Sequence, residues 1–107
     1  MNMIIPASYE ELAEYVEGET SVFFFTADWC GDCRFIKPVM PEIEAEFPEF
    51  RFIEVDRDKY LELASEWNIF GIPSFVVTRE GKELGRLVNK NRKTKEEITT
   101  FLKSISA

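Results

Sequence analysis

Residues 27–34 read Ala27-Asp28-Trp29-Cys30-Gly31-Asp32-Cys33-Arg34 and hold both cysteines of the 107-residue chain. Directly before them runs Val22-Phe23-Phe24-Phe25, an apolar segment whose length and polar borders predict a buried strand. After them, Phe35, Val39, Ile43 and Phe47 recur at helical spacing, with Ile36 and Met40 beside them. The cysteines therefore fall where a strand ends and a helix begins. A helix start presents unpaired N–H groups and about +0.5 of an elementary charge, which stabilises a thiolate, the nucleophile of disulfide exchange. The arrangement predicts an outward Cys30 that attacks a partner's disulfide and an underlying Cys33 that resolves the mixed disulfide. Gly31 leaves the approach to Cys30 uncrowded. Burial of both cysteines is not expected, because Asp28, Gly31, Asp32 and Arg34 surround them. A zinc site normally takes four protein ligands from Cys and His, and two Cys with no His cannot supply them from one chain. A metal or iron–sulfur site would need a second chain or carboxylates, so redox chemistry is favoured and no metal is expected.

With 45% hydrophobic residues, ten of them phenylalanine, the chain has apolar material for one core and one domain. A net charge of −7 argues against a nucleic-acid partner or an anionic membrane surface. The basic stretch Lys90, Arg92, Lys93 and Lys95 reads as a solvated helix entrance. There is no 18-residue apolar span, and Met1-Asn2-Met3-Ile4-Ile5-Pro6 lacks the basic start and long apolar centre of a secretory leader. A cytoplasmic setting is the expectation, in which thiols stay reduced and a lone cysteine pair is catalytic rather than a structural staple.

In chain order, residues 3–5 suggest a short edge strand. Ser8 with Glu11 forms a capping-box pattern ahead of a helix with Tyr9, Leu12, Ala13 and Val16 on one face, stopped by Gly18. Pro38 and Pro41 should kink the helix after the cysteines, and Pro48 closes it. Phe50 to Val55 is a second strand. Asp56 and Asp58 are candidate caps for a helix with Tyr60, Leu63, Ala64 and Trp67 on one side. Phe70-Gly71-Ile72-Pro73-Ser74 feeds a strand Phe75-Val76-Val77, and Arg79-Glu80-Gly81-Lys82 turns into a strand from Glu83 to Val88. Gly85 marks a bulge or a tight contact. Thr94 and Glu97 cap a last helix carrying Ile98, Phe101, Leu102 and Ile105. Strand–helix–strand units followed by a hairpin give one mixed central sheet with helices on both faces, an α/β layered domain.

Together these features resemble thioredoxin over essentially the whole chain, residues 1–107. Trp29-Cys30-Gly31-Asp32-Cys33-Arg34 resembles the family's redox motif at every position except Asp32, where proline is typical. Pro38 falls where the family kinks its active-site helix. Gly71-Ile72-Pro73-Ser74 resembles the loop whose proline is cis and packs on the redox pair. The resemblance implies a single thioredoxin-like domain, a cis Pro73, and an apolar docking rim of Trp29, Ile72 and Val88 around Cys30. Because Pro73 lacks an N–H, the Ile72 backbone is left to pair with an extended substrate segment. The resemblance also implies protein disulfides as substrates, a flavin-dependent thioredoxin reductase as electron donor and no bound cofactor, while the unbroken set of core faces suggests a monomer.

Two departures stand out. The buried aspartate usual beneath the second cysteine is matched here by Phe24, and its companion lysine by Phe52. Losing both members of a buried charge pair can be neutral or stabilising for a fold, but it removes the usual helper for deprotonating Cys33. Asp32, or water held by Asp28, is left as the substitute, with Asp32 preferred. At the helix start Asp32 gains from the dipole yet repels a thiolate on Cys30, which would make the pair more reducing; an exposed cap with little redox effect is the equal alternative. The functional expectation is a thiol–disulfide oxidoreductase. The alternative is a redox-switched binding module with little turnover.

Overall fold

The computed structural model describes residues 3–106. β1 (Ser21–Thr26) is buried at all six positions and lies inside a four-stranded sheet of order β2-β1-β3-β4. Successive side chains of a strand point to opposite faces, so a strand apolar at consecutive positions must be covered on both sides. Val22 and Phe24 accordingly enter one core and Phe23 and Phe25 the other. β1 runs parallel to β2 (Arg51–Asp56) and antiparallel to β3 (Ser74–Arg79), which pairs antiparallel with β4 (Lys82–Leu87). The sheet is therefore mixed, as the order of elements predicts. Its ladders extend beyond the apolar content of β1 and β3, taking in Ser21, Thr26 and Thr78, because pairing is set by the backbone.

The first core packs α2 (Gly31–Ile36), α3 (Met40–Glu46) and α5 (Lys95–Ser106) on the sheet through Ile36, Met40, Ile43, Ile98 and Leu102. The second packs α1 (Tyr9–Glu17) and α4 (Leu61–Glu66) on the other face through Leu12, Tyr60 and Ala64. Both capping residues act as expected: Ser8 Oγ accepts from the Glu11 N–H at 3.1 Å, and Thr94 Oγ1 from the Glu97 N–H at 3.1 Å. The prolines do more than kink the active-site helix. Residues Lys37–Val39 form a 3₁₀ turn between α2 and α3, since Pro38 and Pro41 each remove a backbone donor.

Several expectations are corrected. The edge strand at 3–5 shrinks to one parallel bridge, Ile4 with Ile53. Asp58 does not cap α4; Asp56 accepts from the N–H groups of Asp58 and Lys59, and Asp58 is used elsewhere. Phe35 is 49% exposed instead of buried, because the buried stripe runs at helical spacing through Cys33, Ile36, Met40, Ile43 and Phe47 and Phe35 lies one position to its side. Lys93 is not solvated but fully buried at 0% exposure, while Lys95 ties α5 to α3 through Glu42 and Glu46. Gly85 serves both roles offered for it: the β3–β4 register shifts beside it, and a Cβ there would lie 2.6 Å from Ile105 Cδ1 of α5.

Phe24 is fully buried and stacked on Phe75 with ring centroids 5.1 Å apart, and Phe52 is buried in the same core. Phe24→Asp is expected to destabilise the fold by about 3–5 kcal/mol, measured by urea unfolding, through lost aromatic burial and an unpaired buried charge.

Candidate active site

The sheet brings four chain segments to one edge. Because β2 is parallel to β1 while β3 is antiparallel to β1 and to β4, the C-terminal ends of β1, β2 and β4 meet the N-terminal end of β3. Cys30 follows β1, Arg57 follows β2, Pro73 precedes β3 and the 88–93 loop follows β4. Cys30 caps α2, and its Sγ accepts from the Cys33 N–H at 3.2 Å. The two cysteines form a disulfide with Cα atoms 5.2 Å apart. Cys30 Sγ lies 3.9 Å from the Ile72 carbonyl oxygen, and the Ile72–Pro73 bond is cis, as the family resemblance implies.

Both cysteines are buried, Cys30 at 6% and Cys33 at 1% exposure, which corrects the expectation of an outward Cys30. Ala27 and Ile72 close over the pair despite the polar neighbours in sequence. The asymmetry between the sulfurs survives in a different form, since Cys30 lines an open cleft of about 360 Å³ and Cys33 does not. Gly31 also lines it, with open space where a Cβ would stand.

Of the residues singled out from sequence, Trp29, Cys30, Gly31, Asp32, Gly71 and Ile72 line the cleft. Trp29 is 60% exposed, and its indole Nε1 donates to Asp58 Oδ2 at 2.7 Å, which fixes the ring beside Cys30. Pro73 is buried and is not among the cleft's lining residues. Val88 is placed in the second core, packed with Ile72 against the sheet, and is not among the cleft's lining residues. Asp32 pairs with Arg92 at 3.0 Å, and the Arg92 guanidinium lies 4.3 Å over the Phe35 ring. This pair offsets the Asp32 charge, so its repulsion of a Cys30 thiolate is weaker than that of a bare carboxylate.

Sequence reasoning missed three lining residues: Phe70, Arg57 and Lys90. Arg57 and Lys90 stand just past the C-terminal ends of β2 and β4, on the edge that carries the cysteines, and strand order would have pointed to them. Loop and cleft are in close contact. A Cβ on Gly71 would lie 2.3 Å from the Asn89 carbonyl oxygen, so only glycine lets the two backbones approach this closely. The loop folds around the buried Lys93, whose Nζ donates to the carbonyls of Asn89 and Asn91. Burial pushes the Lys93 ammonium's pKa below the ordinary lysine value, with Glu97 and Asp32 pulling the other way.

A redox-active Cys-x-x-Cys pair at the edge of this sheet, with a cis-proline loop against its first sulfur, defines a thiol–disulfide oxidoreductase acting on protein disulfides. The chain belongs to the thioredoxin family, whose Thioredoxin family model matches residues 3–104. It is 34% identical over 103 residues to thioredoxin H2-1 of Oryza sativa subsp. japonica, covering 94% of this chain and 75% of that protein. It is 38% identical over 84 residues to thioredoxin H1 of Arabidopsis thaliana, covering 78% and 74%. The match to thioredoxin H-type 1 of Nicotiana tabacum spans 56% of that relative. Among solved structures, thioredoxin from Trypanosoma brucei brucei superposes with a TM-score of 0.87 at 30% identity, covering 98% of this chain and 91% of that one.

Gly71→Ala should displace the Asn89 backbone and cost about 1–3 kcal/mol in urea unfolding, as overpacking does. The Lys93 shift carries a definite sign. Its pKa is lower folded than unfolded, so between the two values the unfolded chain binds more protons and stability rises with pH. The stability of the protein relative to Lys93→Met is therefore expected to increase as pH is raised from neutral towards the ordinary lysine range. Parallel urea titrations of both proteins across that range check it; a difference that falls with pH contradicts it.

Proposed function

We propose that this protein reduces protein disulfides with Cys30 as nucleophile and Cys33 as resolving thiol. The observation that carries the reading is the position of Cys30 Sγ: it accepts from the Cys33 N–H at 3.2 Å and is the sulfur that lines the cleft. That N–H stabilises negative charge on Cys30 in the reduced form. The Cys30 thiolate attacks one sulfur of a substrate disulfide, forming a Cys30–substrate disulfide and releasing the other substrate sulfur as a thiolate that takes up a proton. Cys33 then loses its proton and attacks Cys30 Sγ, forming the Cys30–Cys33 disulfide and releasing the second substrate thiol. Two electrons and two protons pass to the substrate. We assign the return of the dithiol form to a flavin-dependent thioredoxin reductase, in a cytoplasmic setting, with the protein acting as a monomer.

Trp29, Phe70 and Ile72 supply the apolar part of the docking surface, and the Ile72 backbone pairs with an extended substrate strand. Asp32 is the nearest carboxylate in sequence to Cys33 and the preferred aid to its deprotonation. In a disulfide-reduction assay Cys30→Ser is expected to abolish turnover, while Cys33→Ser should accumulate a covalent mixed disulfide, seen by mass spectrometry. Undiminished activity in Cys30→Ser would overturn the reading, whereas retained docking without turnover in the unmutated protein would favour the binding-module alternative. Equilibration of the pair with dithiothreitol should give a potential near or below about −270 mV, the range of a reductase.

A further inference from the structure

We propose that Lys90 makes this active site select disulfides flanked by a carboxylate side chain, so that an acidic peptide segment is its preferred substrate. The inference rests on the reductase reading and names the substrate class for that same cleft. Three charged side chains line the cleft: Asp32, Arg57 and Lys90. Asp32 is already paired with Arg92 at 3.0 Å, and Arg57 with Asp58 at 3.3 Å. Asp58 is further engaged by the Trp29 indole. Lys90 makes no ion pair among the described residues, which leaves the cleft with one uncompensated positive charge on a chain of net charge −7.

The position of that charge is built rather than incidental. Asn89, directly before Lys90, packs its backbone on Gly71, and Asn91, directly after it, donates its N–H to Asn89 Oδ1 at 2.9 Å. The buried Lys93 ammonium holds the carbonyls of both asparagines. The loop therefore fixes the Lys90 backbone against Gly71, directly before Ile72, whose backbone an extended substrate would pair with. Side chains of such a strand alternate in direction at about 3.3 Å per residue, so one within two residues of the substrate cysteine is at the distance of the cleft rim. A carboxylate there meets an unpaired ammonium, and a lysine there meets repulsion.

The test uses the reduced full-length protein and three peptide disulfides that are identical except for Glu, Gln or Lys beside the attacked cysteine. Single-turnover rates are followed by Trp29 fluorescence and normalised to the reaction of each peptide with dithiothreitol, which removes the peptides' intrinsic reactivity. An exposed ion pair is worth little, so the expected preference for Glu over Lys is roughly two- to fivefold. It should vanish near 1 M salt, where the Debye length is about 3 Å. Lys90→Glu should invert the order and Lys90→Gln should abolish it. Lys82→Glu, at the opposite end of the sheet and with the same change in net charge, should leave the order intact. Equal rates for all three peptides, or an order unchanged in Lys90→Glu, would overturn the specificity while leaving the reductase reading in place. No reaction with any peptide would overturn both.

Discussion

The whole redox edge hangs from the double burial of β1. A strand with no solvent face has its register fixed twice over, since a slip by one residue would exchange the side chains of two different cores. Val22 and Phe24 are held by α2, α3 and α5, and Phe23 and Phe25 by α1 and α4. That fixes where β1 ends, and Ala27 to Cys30 follow within a few residues. The Cys30 sulfur is consequently delivered to the start of α2, where the Cys33 N–H meets it. The chemistry needs a sulfur at a helix start with one backbone donor aimed at it, and an over-determined central strand is what makes that placement reproducible.

The opposing wall is placed by a close approach of backbones. Gly71 meets Asn89, Ile72 turns its carbonyl towards Cys30, and the Lys93 ammonium gathers the loop beyond β4. Burying an ammonium costs free energy unless its protons are taken up by acceptors. Here the acceptors are main-chain carbonyls of the loop itself, which would otherwise need partners of their own. The cation thus serves as a local core for a segment that has almost no apolar side chains.

How much of this could be read from the residues follows from the range of each interaction. The strand before the cysteines, both helix caps and the turn at Gly81 depend on neighbours within four positions, and periodicity and capping chemistry reveal them. The site's central residues were legible for the same reason, because the cysteine pair and its tryptophan are contiguous. Arg57 and Lys90 were not, because their membership in the cleft depends on strand order, and a charged residue after a strand looks like any solvated loop position. Lys93 was misread outright, since composition ranks lysine as exposed and only the folded loop supplies its acceptors. Phe35 differs for a subtler reason: two apolar stripes converge on Ile43 and Phe47, one through Phe35 and Val39 and one through Ile36 and Met40, and the core takes the second. Burial of Cys30 was hidden by polar neighbours in sequence, while its cover comes from Ile72, forty-two residues away.

Phe24 and Phe52 lie buried in the first core, which bears on where charges can act on the sulfurs. There Phe24 stacks on Phe75 among aliphatic and aromatic side chains. The charged side chains that line the cleft, Asp32, Arg57 and Lys90, stand at its rim, the first two paired with Arg92 and Asp58. Rim charges act through water and are screened over a Debye length of about 8 Å at physiological salt, whereas a charge within the core would be screened far less. In this protein the electrostatic influence on substrate and thiolate is therefore exerted largely from a surface that ions can reach. On the proposed role of Lys90, ionic strength then adjusts substrate choice, while the apolar core, which salt does not touch, keeps the fold that presents the pair.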